Sequence, residues 1–526
     1  TFTMGSVAVT LYAKWTANPT YTVTYDGNDS TTGSPPADTT NYEAGATVTI
    51  QGNTENLKKT GCVFAGWSAN TDGSGITYTP GLTFTMGSAN ATLYAKWLPT
   101  STGILDEAFG VNGIVFTDPS PGYIDGINSL AVQTDGKIVA AGISEGTDGV
   151  TESILVRYNT NGSPDTGFGE GGVVRTRISS INSGFQALGI QADGKIVAAG
   201  YAYVGSKAYF AVARYESDGE PDGKPDATFG PDHNGVVITP IGTGSDYAYA
   251  MAIQGDGKIV VAGSSTSGSD TSFALARYNP DGTLDSDFDG DGKVITQAGP
   301  GTVDVAFAMG LQADGKIVAA GYSYDGVNAA FALVRYNAGG SLDESFDANG
   351  GAAVPGIVTT PVGSGSGRED VVKALRIQDD GRIVAAGYGG YLGDGSSRDF
   401  AVARYNTDGT LDTSFNTVGI AVTDVGSGAE DAANALSIQE DGMIVAAGSA
   451  YDALTHYDFA LVRYLASGSL DMGFGPSASG IVTTQVRPGA YIDSAYAMVI
   501  QNDGKIVVAG SSNDVVDDDF ALVRYE

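Results

Sequence analysis

The pattern IQxDGKIVAAG, or a close variant, returns seven times in this 526-residue chain, with its glutamine at Gln133, Gln191, Gln254, Gln312, Gln378, Gln439 and Gln501. The spacings are 58, 63, 58, 66, 61 and 62 residues. Self-similarity on that scale marks a stacked or radial array rather than an irregular globule. Each copy runs on into FALVRY, then NxDGxLDxxFGxxG, then a short GxVxT. Turn residues break this into four short strands: GxVxT, xAxAIQ, KIVAAG and FALVRY. The Asp-Gly ahead of each KIVAAG is a hairpin signal, because its two-residue turn needs positive φ. Val, Ile, Thr, Tyr and Phe fill the apolar runs, and those types suit strands. Seven four-stranded units predict an all-β fold, a seven-bladed β-propeller. The ends agree. The chain stops at FALVRYE, and the piece missing there stands in front as GILDEAFGVNGIVFT, from Gly103 to Thr117. One blade is thus shared, and the N- and C-terminal strands would close it; an open solenoid would need polar caps instead.

A different repeat precedes it. TFTMGSVAVTLYAKW at Thr1–Trp15 returns as TFTMGSANATLYAKW at Thr83–Trp97, an offset of 82 residues. Residues 1–15 therefore read as the tail of a truncated module, 20–97 as one β-rich module, 98–102 (within LPTSTG) as a linker, and 103–526 as the propeller. YTVTYDGN, FAGW at Phe64–Trp67 and the closing LYAKW resemble the internalin-type B-repeat, also called the Listeria/Bacteroides-type repeat, which implies a small β-grasp-like module of bacterial surface proteins. Cys62 stands where that pattern has an aromatic residue. The seven long units resemble the delta-60 repeat family of bacterial β-propellers over about four-fifths of the chain. That resemblance implies a surface or secreted location and transfers no catalytic residue.

The net charge is −33, from 60 acidic and 27 basic residues. Such a surface repels phosphate backbones and anionic membranes, which argues against nucleic acid as a partner. No apolar run reaches 18 residues, so direct membrane insertion of this chain is not expected. A single cysteine cannot form an internal disulfide; within CVFAGW it reads as a buried, inert thiol. Trp15, Trp67 and Trp97 read as core. Only His233 and His456 are present, in different repeats. Both read as exposed loop residues, and no nucleophile–base pair, zinc spacing or phosphate loop is visible, so no catalytic residue is assigned.

Several polar positions repeat with the blades. Arg157, Arg214, Arg277, Arg335, Arg404, Arg463 and Arg524 recur in FALVRY. Asp106, Asp165, Asp226, Asp285, Asp343, Asp412 and Asp471 recur in the LDxxF turn. One guanidinium–carboxylate contact per blade would pin that turn to its strand. Eight residues before the glutamines stand Asp125, Asp246, Asp304, Asp370, Asp431 and Asp493; Ser183 breaks the series. If xAxAIQ is the innermost strand, they form an acidic ring at one channel mouth that would attract a cation; the alternative is turn capping. Two further loops have calcium-like spacing: Asp218, Glu220, Asp222 and Asp226 around Gly223, and Asp287, Asp289 and Asp291 before Gly292. Calcium is the one cofactor these patterns suggest.

Because strand direction alternates within a blade, the near-invariant DG and NxDGxLD turns share one end. The GxVxT-to-AIQ and VAAG-to-FAL loops share the other and vary from blade to blade. Variable loops on a regular scaffold are where binding is expected. They carry Tyr203, Tyr322, Tyr324 and Tyr391 as ligand-face candidates, with Tyr201, Tyr247, Tyr451 and Tyr491 nearby. The expectation is a non-catalytic extracellular or cell-surface binding or adhesion protein, its propeller holding a glycan or protein and its B-repeats forming a stalk. A carbohydrate-active hydrolase or lyase on the same face, or a purely structural envelope component, are the alternatives.

Overall fold

In a computed structural model the chain divides into two compact units, Thr1–Thr100 and Ser101–Glu526. The structure describes residues 13, 17–59, 62–71, 76–99, 102–217, 225–347, 354–363, 366–389, 398–426, 430–489, 491–513 and 517–526. The truncated module expected at 1–15 lies almost wholly outside them. Every regular element described is a strand.

In the first unit Val23–Asp26, Ala91–Pro99, Cys62–Ser68 and Thr77–Tyr78 form a mixed sheet in that order, the first pair parallel. Trp67 is fully buried, packs edge-on against Tyr25 at 4.7 Å, and donates its indole N–H to Gln51 O at 2.9 Å. Trp97 packs beside the same cluster, partly buried, and donates to Asn28 O. Cys62 is half-buried rather than buried, a correction to the sequence reading. It sits where its strand pairs with the end of Ala91–Pro99.

The second unit is a ring of seven antiparallel four-stranded blades. Blade 1 comprises Asp125–Val132, Ile138–Glu145, Thr151–Tyr158 and Val173–Thr176, in that order across the sheet. Blade 3 repeats it with Asp246–Ile253, Ile259–Ser267, Asp270–Tyr278 and Lys293–Thr296. The AIQ strand is innermost in all seven, since residues from each line the central channel. Blade 7 takes its outermost strand from the front of the chain: Ile114–Thr117 pairs with Asp518–Tyr525, Val523 opposite Ile114 and Phe520 opposite Thr117. KIVAAG and FALVRY are buried on both faces because each sheet is covered by its neighbours; that is why they read as unbroken apolar runs.

Two side-chain contacts tie blade to blade. The Tyr of FALVRY is buried, and in six blades its hydroxyl bonds the last Thr of the preceding blade, as Tyr158 donates to Thr117 at 2.9 Å and Tyr278 to Thr239 at 2.9 Å. Burial holds each such phenol well above its usual pKa, so it remains a donor. The Arg immediately before it in the same motif works in the other direction. Arg157 reaches Ser217 O of the next unit at 2.7 Å, and Arg404 reaches Ala466 O at 2.6 Å.

Candidate functional site: the channel and its variable mouth

The recurring arginines and aspartates meet one to one. The Nε–Oδ2 distances are 2.7 Å for Arg157–Asp165, 2.8 Å for Arg214–Asp226, 2.6 Å for Arg277–Asp285 and 2.7 Å for Arg335–Asp343. They are 2.8 Å for Arg404–Asp412, 2.8 Å for Arg463–Asp471 and 2.7 Å for Arg524–Asp106. Each guanidinium also lies over the Phe of LDxxF, 4.3–4.8 Å from the ring centroid, as Arg463 over Phe474 and Arg404 over Phe415. In six blades the cation after the DG turn joins the same carboxylate, as Lys258 does Asp285 at 2.9 Å; Met443 replaces it in blade 6. These residues form the frame of the ring, not a ligand site.

The acidic ring does not form, which corrects the sequence expectation. Asp125, Asp246, Asp304, Asp370, Asp431 and Asp493 are all buried, and among the described residues no two of them share a carboxylate cluster. Each instead accepts N–H groups of the loop leading into its own strand. Asp246 takes Ile241 N at 2.8 Å, Asp370 takes Val362 N at 2.8 Å, and Asp493 takes Val486 N at 2.8 Å. At or beside the start of the strand the side chain folds back under the incoming loop rather than over the channel.

The calcium-like loops are placed as follows. Asp218, Glu220 and Asp222 lie outside the described residues, and Asp226 is committed to Arg214 and Lys195. Asp287, Asp289 and Asp291 belong to no metal-like cluster among the described residues. Asp291 caps its own turn by accepting Lys293 N at 3.0 Å. His233 and His456 are exposed, both at positive φ. Tyr391 lies outside the described residues, and the Tyr324 hydroxyl donates within its own turn, to Gly326 O.

The channel is built by a device the sequence reading missed. Every innermost strand carries a β-bulge, with one extra residue opposite a glycine of the next strand. The extra residues are Asn128, Gln186, Tyr249, Phe307, Lys373, Asn434 and Tyr496, all at the channel wall. Bulges break alternation and re-aim a side chain. The signal was present: the position five before each glutamine changes chemistry from blade to blade, while the next stays small, as Ala187, Ala250, Ala308 and Ala374.

On one side these residues join the variable-loop tyrosines in a continuous arc. Tyr203 and Tyr247 share a hydroxyl–hydroxyl hydrogen bond of 2.7 Å. Ring centroids are 5.5 Å apart for Tyr201–Tyr247, 6.4 Å for Tyr247–Tyr249, 4.9 Å for Tyr249–Phe307 and 6.1 Å for Phe307–Tyr322. The arc crosses blades 2, 3 and 4. It ends at Lys373, whose Nζ lies 3.7 Å from the Phe307 centroid. Arg376, further down the same strand, also lines the channel and donates to Leu375 O at 2.9 Å. Burial, helped by the charge of Arg398, pulls Lys373 down to about 8. The channel holds a cavity of about 230 Å³. That is below the ~300–1,000 Å³ of ordinary small-molecule sites, so it has room for one group of a larger ligand. Beyond Arg376, toward the DG turns, Asp379, Asp380 and Glu440 line the adjoining cavity.

The two sets of aspartates respond oppositely to pH. Salt-bridged Asp343 is held down at about 2, and Asp106, Asp165, Asp285 and Asp412 are also lowered by Lys, Arg and N–H partners that outweigh burial. Their stabilisation is present above the unfolded value near 4 and is lost as pH falls toward 2. Burial pushes Asp125 up to about 7 and raises Asp304 and Asp493. Their contribution is fully present below about 4 and lost as pH rises toward 7. Denaturant unfolding in chelator is therefore expected to show greatest stability at pH 4–5. Stability rising steadily from pH 4 to 8 would refute this.

Known proteins share parts of this design. The family model described as a domain of unknown function (DUF5122) beta-propeller matches at 133–168, 191–229, 254–288, 312–346, 378–415, 439–474 and 501–526. The Listeria-Bacteroides repeat domain matches at 21–96. Two curated relatives come from Evansella cellulosilytica. One, named "Putative Gly-rich membrane protein", is 45% identical over 113 residues, 21% of this chain and 12% of its own length. The other, also named as a membrane protein, is 44% identical over 89 residues, 17% of this chain and 13% of its own length. The chain thus spans about an eighth of the relatives it matches. Among solved structures, the polysaccharide lyase Uly1 is 12% identical with a TM-score of 0.42, covering 76% of this chain and 89% of its own. Sqt1 of Chaetomium thermophilum is 13% identical with a TM-score of 0.40, covering 78% and 100%. Those two likenesses carry nothing about activity or ligand. The seven units between 133 and 526 belong to the DUF5122 β-propeller family, and residues 21–96 are a Listeria–Bacteroides repeat domain.

Proposed function

We propose that this chain is a non-catalytic binding module of a bacterial surface protein, and that its propeller takes an acidic glycan at the variable mouth of the channel. The observation that carries the reading is the six-ring aromatic arc from Tyr203 to Tyr322, which runs into Lys373 and Arg376. Half-buried aromatic rings offer flat apolar faces to the C–H side of a sugar, and their hydroxyls, held protonated by burial, donate to its oxygens. In a chain of net charge −33, the two channel cations would receive a carboxylate or sulfate group. The acidic residues at the opposite mouth disfavour entry from that side. The surface placement is supported by the Listeria–Bacteroides repeat and by relatives named as membrane proteins.

The test is a glycan panel of uronate, sulfated and neutral oligosaccharides, followed by calorimetry. Tyr249→Ala is expected to weaken binding at least 10-fold without moving the unfolding temperature by more than a few degrees. Lys373→Met is expected to remove the preference for acidic over neutral sugars. An unmodified protein that binds no member of the panel, or a Tyr249→Ala variant that binds as well, refutes the assignment.

A further inference from the structure

Two of the buried aspartates join other partners. Asp125 converges with Asp118 and Asp519, and Asp431 with Asp399 and Asp424; within each trio three carboxylate oxygens lie within 4.8 Å of one another. The trios hold equivalent places in the repeat. One member follows the last Thr of an outer strand (Asp118 after Thr117, Asp424 after Thr423). One precedes the Phe of a third strand (Asp519 before Phe520, Asp399 before Phe400). The third opens, or stands just before, the innermost strand of the next blade. The first trio straddles the seam where the ring closes, between the front of the chain and its last strand.

A separate observation points to a missing ligand at the seam. Asp125 is fully buried and Asp519 is 4% exposed, and among the described residues Oδ1 of each meets no hydrogen-bond donor. Their other oxygens are committed: Asp125 Oδ2 to Ser120 N at 3.0 Å, and Asp519 Oδ2 to Arg487. Oδ1 is what each has left for the cluster. A buried carboxylate oxygen without a donor is unfavourable unless something satisfies it.

We propose that Asp118, Asp125 and Asp519 bind a calcium ion that bridges the two ends of the propeller. Oxygens sharing one Ca²⁺ at about 2.4 Å lie at most about 4.8 Å apart, which the trio meets. Exposed Asp118 leaves room for waters to complete the 6–8 ligands that Ca²⁺ takes, whereas Mg²⁺ demands a tighter octahedron. The site is distinct from the channel and does not depend on what the channel binds.

Calorimetric titration of the chelator-treated chain with CaCl₂ and MgCl₂, with thermal unfolding in parallel, tests this. Calcium is expected to bind and to raise the unfolding temperature by several degrees, with magnesium much weaker. Asp519→Asn and Asp118→Asn are expected to weaken calcium at least 10-fold. Asp118 is exposed, so its variant separates loss of the ion from loss of the fold. Asp399→Asn, in the second trio, is expected to leave the seam's calcium affinity unchanged. No calcium binding at millimolar concentration overturns the proposal. So does binding that both seam variants leave intact, which would place the ion elsewhere.

Discussion

Asp106→Ala is expected to destabilise the propeller by about 3–5 kcal/mol, the usual cost of removing one partner from a buried ion pair. Asp106 is 1% exposed and accepts from Arg524 at 2.7 Å and from Lys505 at 2.7 Å. Its loss leaves Arg524, itself buried over Phe109, without a counter-charge. The same contact exists in every blade, but only here do its partners come from opposite ends of the chain. Asp412→Ala, within blade 5, is expected to cost a similar amount. Only Asp106→Ala should accelerate amide exchange in Ile114–Thr117, because only it releases the strand that completes the ring. Urea unfolding and hydrogen exchange measure the two effects. Protection at Ile114–Thr117 equal to the unmodified protein's would show that closure does not depend on this pair.

Gly263→Ala is the second large effect, about 3 kcal/mol or more. A Cβ at Gly263 would stand 1.9 Å from Tyr247 O, a backbone atom with no freedom to move aside. The same approach recurs at Gly142, Gly200, Gly321, Gly387, Gly448 and Gly510, at 1.8–1.9 Å each. Each of these glycines lies beside its blade's bulge, so the substitution would flatten the bulge as well as strain the sheet. Tyr249 would then turn away from the channel. Gly255→Ala, in a turn where an added Cβ meets nothing within 4 Å, is expected to be near neutral. Equal unfolding midpoints for the two variants would count against the steric account.

The closed ring was legible because repetition converts local signals into a count. Seven DG hairpins and one blade split between the ends leave little choice of topology. The Arg–Asp pairing was legible for the same reason, though its stacking on Phe109, Phe168 and their equivalents was not; that contact is formed by a turn whose path the sequence does not specify. The channel was misread because its geometry breaks a periodicity rule. Counting alternate residues back from Gln254 assigns Tyr249 to one face, but the bulge between Ala248 and Ala250 shifts the parity by one. Asp246 was misplaced for a related reason. As the first residue of its strand, it answers to the backbone donors of the loop before it rather than to the channel.

The shared blade also decides how the ring carries load. Thr102 N donates to Glu526 O, Gly103 N donates to the same oxygen at 2.9 Å, and Leu105 bridges Tyr525, so the first and last residues of the propeller lie side by side. Ile114 faces Val523 in an antiparallel pair, which puts both points of attachment at the same end of the closing strands. A pull between residues 102 and 526 would therefore not stretch the ring across its diameter. It would peel the closing pair from one end, breaking hydrogen bonds in succession rather than together. Under tension along the chain, six blades would bear little of the force, and the seventh would act as a latch.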